Sequence, residues 1–272
     1  MKTVVFSVDV EWDLEPFSRG TAFGVTEGLP PLFDLLQEEN VPADMLFLGS
    51  LVASHGWAAK KAARLGFGIG SHGWDHDYLC IKTNRHQHAD INRATKAIQQ
   101  AAGVRPETFR AANFSISAPA LRYLASQGYV VDSSVMPERV ARRWGLLPVY
   151  DYRGAPLTPY RPSGRHAAQA GDLPIVEVPL AVNTDRPGTP LGTGLLNSNG
   201  MENTLRRILE YPTKVVALLA HPWELVDLKE YVHALPEDYA RICSPDLGPL
   251  RNLFRSLRGR VRFTTLRQVG LE

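Results

Sequence analysis

The chain has 272 residues, of which 44% are hydrophobic, 21% charged and 9% aromatic; this is the usage of a soluble globular protein and excludes disorder, collagen and fibre. Its 30 basic and 28 acidic residues are interspersed and leave a net charge of +2, so no nucleic-acid partner is expected. Two distant cysteines, Cys80 and Cys243, set aside a disulfide framework and a thiolate zinc site. No apolar stretch reaches the roughly 18 residues of a membrane span, and the apolar run at the start is too short for a signal peptide. A cytoplasmic protein without a transmembrane segment is expected.

In chain order, short β-branched runs bounded by turn residues predict strands over 3–8, 43–48, 67–70, 108–111, 129–132, 175–180, 215–220 and 261–263. Helical patterns fall between them, over 32–39 behind Pro30 and Pro31, over 88–102, and over 118–127 with Ser117 as N-cap and Gly128 as C-cap. Strand and helix therefore alternate, which argues for parallel strands with crossover helices, closed as a barrel or open as a doubly wound sheet. The stretch 148–200 is rich in Pro and Gly and reads as long loops around one strand, an insertion within a single domain spanning 1–272.

Ionisable residues gather where the predicted strands stop, which in α/β folds is where active sites lie. The first strand runs into Asp9-Val10-Glu11, whose two carboxylates share a side if the chain stays extended. The third runs into His72-Gly73-Trp74-Asp75-His76; in a helical turn, histidines four apart share one face and converge on one borderline metal such as zinc. With a carboxylate from the first strand they make a two-histidine, one-carboxylate site with room for water and substrate. Arg110 stands at the end of the fourth strand and is placed to pair with Asp9. Asp132 closes the fifth strand, and His221 follows the run Leu218-Leu219-Ala220.

In this order the motifs resemble the polysaccharide deacetylases of the NodB-homology, carbohydrate esterase family 4 group, in an intracellular or exopolysaccharide-locus-like branch. The resemblance rests on Ser7-Val8-Asp9-Val10-Glu11, on His72 and His76, on Arg110-Ala111-Ala112-Asn113-Phe114, on Asp132-Ser133-Ser134, and on Leu219-Ala220-His221-Pro222-Trp223-Glu224. It implies a distorted (β/α)7 barrel holding one divalent metal, zinc first with cobalt or nickel as alternatives, on Glu11, His72 and His76. Asp9, oriented by Arg110, is implied as base and His221, tuned by Asp132 or another carboxylate, as acid; a backbone N–H near Ala111 joins the metal against the oxyanion. Trp12, Asn113, Phe114 and Trp223 are the candidate substrate-binding residues, and Trp144 is a further candidate for the apolar wall.

The activity implied is hydrolysis of a linear C–N amide, removing an N-acetyl or N-formyl group from an amino sugar or a small-molecule, lipid-linked or nucleotide-linked precursor. The alternatives are a hydrolase of a non-sugar amide such as a cyclic imide or allantoin, and an inactive glycan-binding relative, which the Val10 replacement of the family's second Asp suggests. Arg139, Arg142 and Arg143, the densest basic run, read as a solvated face or, with Arg161, as a contact for a phosphate-bearing substrate. A homo-oligomer is left open.

Overall fold

A computed structural model describes residues 1–14, 17–18, 20–143, 145–232 and 235–272. Strand β1 (Lys2–Val10) leads through helix α1 (Leu29–Glu38) to β2 (Ala43–Phe47), α2 (Gly49–Arg64), β3 (Gly68–Ser71), α3 (Asn84–Ala102), β4 (Thr108–Phe109), α4 (Ala118–Ser126) and β5 (Val131–Asp132). Then come a hairpin of β6 (Val140–Arg143) and β7 (Leu147–Asp151), β8 (Val176–Glu177), α5 (Thr193–Asn199), α6 (Met201–Glu210) and β9 (Val215–Ala220). The chain ends with α7 (Glu237–Ala240), α8 (Gly248–Leu257), β10 (Val261–Thr264) and α9 (Leu266–Leu271).

All eight strands of the main sheet are parallel, in the order β10-β1-β2-β3-β4-β5-β8, with β9 on the other edge of β1. Beyond β8 the chain reaches β9 through a parallel bridge, Leu180 to Ala217, and a 2.9 Å bond from the Ala181 N–H to the Ala217 carbonyl. The strands thus curl into the deacetylase-type (β/α) barrel, as expected. β10 sits beside Lys2–Val5 on the edge that β2 occupies further along, so it lies below the ring.

β1 is buried along nearly its whole length, as a strand covered on both faces must be. Its alternation sorts the two faces. Val4, Phe6, Val8 and Val10 pack outward against Leu32, Phe33 and Leu36 of α1 and Leu253 and Phe254 of α8. Val5 packs with Leu46, Val131, Val178 and Ala217, and with Leu266 and Val269 of α9, which plugs the lower end. Ser7 and Asp9 therefore also face the barrel interior, near its upper end.

Strand ends differ from expectation by up to three residues, and Ser117 caps α4 by accepting the Ala120 N–H at 3.2 Å. Larger differences lie in 148–200, where β7 completes a hairpin and α5 forms; the loops there are interrupted twice by structure the local pattern does not reveal. α2 was hidden by its polar and small residues, and His55 breaks its helical geometry. Gly192 shows why one loop is glycine: a Cβ there would lie 1.7 Å from the Leu219 carbonyl oxygen. Gly192→Ala is expected to cost about 1–3 kcal/mol through the forced shift of β9, read as a lower melting temperature.

Candidate active site

Ser7, Asp9 and Glu11, on alternate positions of β1 and just beyond it, are 0%, 1% and 6% exposed. Arg110, which follows β4 and is fully buried, ties this row to the neighbouring strands. Its Nη1 donates to Asp9 Oδ1 at 2.6 Å, Nη2 to Ser7 Oγ at 2.9 Å and Ser133 Oγ at 3.0 Å, and Nε to the Ser133 carbonyl at 2.8 Å. Asp9 Oδ2 is left buried with no hydrogen-bond partner and lies 3.9 Å from His72 Nε2. A charged oxygen so placed is held for something that arrives.

His72 continues β3, its N–H donating to the Phe47 carbonyl at 2.8 Å. The two histidines do not sit on a helical turn, as the spacing suggests; 72–78 is irregular chain. Gly73 takes φ +82, where a side chain is disfavoured, and Gly49 and Ser50 at the start of α2 donate N–H groups to the Gly73 and Trp74 carbonyls at 2.8 and 2.9 Å. The Asn113 amide donates to the His76 carbonyl at 2.8 Å. Backbone clamps, not helical periodicity, bring the imidazoles together, with ring centroids 5.7 Å apart.

Glu11 Oε2 lies 3.1 Å from His72 Nε2 and 2.8 Å from His76 Nε2, and the three residues form a group able to hold a metal, each offering one ligand atom within 4.8 Å of the others. His72 Nδ1–H donates to the Arg110 carbonyl at 2.9 Å, which turns the Nε2 lone pair towards Glu11. A carboxylate oxygen within 3.1 Å of two imidazole nitrogens is a donor set that fits a divalent metal. Burial pushes the Glu11 carboxyl up, but the His76 and His72 imidazoles outweigh it and hold it well below the usual carboxylate range. Burial likewise works against protonated His76, and Glu11 overrides it, raising that imidazole.

His221 follows β9 and points Nε2 into the cluster, 3.8 Å from Glu11 Oε1. Its Nδ1 lies 3.2 Å from Glu224 Oε1, an ion-pair distance without good hydrogen-bond alignment. Burial disfavours the imidazolium, yet Glu224, then Glu11 and Asp9, prevail and lift the imidazole to about 9. Glu224 is itself fixed: it accepts the His221 N–H at 3.0 Å and the Thr193 hydroxyl. Trp223 stacks on His221, ring centroids 4.7 Å apart, and its indole N–H donates to Glu11 Oε1 at 3.1 Å.

Asp9, Glu11, His72, His76, Arg110 and His221 thus share one site. Asp132 does not face His221. It accepts from Ser134 Oγ at 2.7 Å and lies against Glu177, whose carboxyl is raised far above its usual range by burial and by the Asp132 charge. The carboxylate against His221 is Glu224, three residues along the same short 3-10 turn; a polar residue spaced to return to its neighbour was the available signal. The Ala111 N–H is not open to an oxyanion either, since it donates to Ser134 Oγ at 2.8 Å.

Of the aromatic candidates, Trp223 is tied to Glu11, and Trp12 is half-buried against the main core with its N–H donating to Ser50 Oγ at 3.2 Å. Asn113 and Phe114 occupy left-handed conformations, φ +53 and +59, beside His76. Trp144 lies outside the described residues. Arg139 stands 5.2 Å over the Phe114 ring and donates to Tyr150 OH and the Gly188 carbonyl, whereas Arg142, Arg143 and Arg161 are exposed.

The curled parallel barrel thus carries carboxylates and histidines at its upper strand ends. Residues 2–131 match the family model described as polysaccharide deacetylase, which bears out the resemblance in the motifs. A chitin deacetylase of Amylomyces rouxii is 34% identical over 125 residues, which are 44% of this chain and 30% of that enzyme, so only a minor part of the curated relative is spanned. The crystal structure of a putative polysaccharide deacetylase from Mycobacterium smegmatis superposes with a TM-score of 0.66 at 20% identity, covering 99% of this chain and 88% of that one. That of the PuuE allantoinase gives 0.65 at 12% identity, covering 99% and 89%.

Proposed function

We propose that the chain is a metal-dependent hydrolase that removes an N-acetyl or N-formyl group from an amino sugar or a sugar-containing precursor. One observation carries this reading: the unpartnered Asp9 Oδ2 stands between an Arg110 clamp and the Glu11, His72 and His76 cluster, with His221 Nε2 on the same cluster. Glu11, His72 and His76 would hold a divalent cation, with zinc, cobalt and nickel all suited to the donor set, which would supply Lewis-acid polarisation of the amide carbonyl and acidify the attacking water.

The chain's own residues do the rest. Arg110 engages Asp9 Oδ1 and so aims Oδ2, which takes the proton of the water. His221, kept protonated by Glu224, gives its Nε2 proton to the nitrogen of the leaving amine, without which that nitrogen departs poorly. Trp223 fixes Glu11 through its indole N–H and packs on the face of His221.

Because the acid must carry its proton, activity is expected to fall as pH rises through the His221 pKa, which is about 9 in the metal-free chain. Glu224→Gln removes the charge that favours the imidazolium, so the alkaline limb is expected to move to lower pH by about one unit. A pH profile of kcat checks this; an unmoved limb removes Glu224 from the mechanism.

The reading is tested by incubating the metal-loaded chain with N-acetylated and N-formylated amino sugars, free, nucleotide-linked and lipid-linked, and measuring released acetate, formate and amine. Release from a sugar substrate, absent in His72→Ala/His76→Ala, supports it. Turnover confined to cyclic imides or ureides assigns the site to a non-sugar amide, the reading that the likeness to an allantoinase favours. No release from any of them overturns both in favour of a binding protein.

A further inference from the structure

We propose that the β6–β7 hairpin is a docking arm that seats the chain on an anionic lipid bilayer, so that the amino sugar it acts on is presented on a lipid; the second clause rests on the deacylase reading above. Among the described residues, the two strands pair with each other and with no strand of the main sheet. At the tip, Leu146 is 78% exposed and Leu147 55%, with Val140 at 36%. Adjacent leucines left in water at a hairpin tip mark a surface that something covers.

Charge says what covers it. Register sets Arg143 opposite Leu147 and Arg142 opposite Pro148, and both arginines are exposed. Over 138–153 the basic residues are Arg139, Arg142, Arg143 and Arg153, against only Glu138 and Asp151. Asp151 pairs with Arg153 and also feels the Arg142 charge, and the arm keeps more basic than acidic residues. An apolar tip flanked by guanidinium groups suits a bilayer interface, where leucines enter the acyl boundary and arginines meet phosphates.

The root of the arm is built into the rim of the site. Tyr150 and Tyr152 stack at 4.4 Å; Tyr150 OH donates to the Asn113 carbonyl at 2.9 Å and Tyr152 OH to the Phe114 carbonyl at 2.7 Å. Asn113 in turn holds the His76 carbonyl. A surface that receives the tip therefore lies beside the opening to His76.

Co-sedimentation of the full chain with phosphatidylcholine vesicles, with and without phosphatidylglycerol, tests the proposal. The chain is expected to bind the anionic vesicles about tenfold more tightly than the neutral ones, with salt weakening the difference. Leu146→Asp/Leu147→Asp is expected to lose at least about tenfold in vesicle binding, with unchanged melting temperature and unchanged acyl release from a water-soluble sugar. Arg142→Gln/Arg143→Gln is expected to abolish the preference for anionic vesicles. Wild-type chain that stays in the supernatant, or tip variants that bind as tightly as wild type, overturns the proposal. A wild-type dimer that the tip variant dissolves, without vesicle binding, also overturns it and gives the surface to a second copy. Binding is read without turnover, so vesicle binding without acyl release overturns only the deacylase reading.

Discussion

Asparagine in place of Asp9 is expected to lower kcat for acyl release by about 10²–10⁴ while leaving metal content unchanged, the range that a positioned general base contributes. The geometry separates the two effects. Asp9 Oδ1 is taken by Arg110, and Oδ2 alone faces the cluster, 3.9 Å from His72 Nε2. Asparagine keeps the shape and one oxygen for Arg110 but has no basic oxygen for the water's proton. Glu11, His72 and His76 still converge. The check is kcat beside elemental analysis of the same preparation: loss of metal from Asp9→Asn would make Asp9 a ligand, and an unchanged kcat would end its role as base.

The second large effect concerns stability. Arg110→Ala is expected to cost about 3–5 kcal/mol, because it strands a buried carboxylate without its cation. In a chain of this size that lowers the melting temperature by roughly 10 °C. The arginine is 0% exposed and bonds Asp9, Ser7 and Ser133, so its loss opens β1, β4 and β5 to unpaired polar groups together. Asp9→Asn in the Arg110→Ala background is expected to recover part of the loss, since no buried charge is then stranded. Thermal denaturation of the two single variants and the double variant measures this coupling. Additive losses would show that the pair contributes little.

The barrel was legible because parallel strands buried on both faces read as short β-branched runs, and β1 and β9 match their runs closely. What the sequence hid is what tertiary contacts create. α2 and α5 carry weak patterns and form against neighbours, and the β6–β7 hairpin lacks an apolar alternation because its strands are mostly exposed or half-buried. In the site, alternation on β1 placed Asp9 and Glu11 together, and the His72 and His76 pair converged although the turn between them is irregular. Asp132 misled because a strand-end carboxylate reads the same whether it faces the site or a second buried carboxylate, here Glu177. Glu224 lies in the same motif as His221, but only the fold of the Pro222 turn brings its carboxylate back to that imidazole.

The most direct test of the metal-centred site is the divalent metal content of the purified, metal-reconstituted chain, measured by elemental analysis beside the His72→Ala/His76→Ala variant. The cluster of Glu11, His72 and His76 leads us to expect one ion per wild-type chain and none in the variant. Wild-type chain that takes up no ion, or a variant that retains it, would contradict a metal site at these residues.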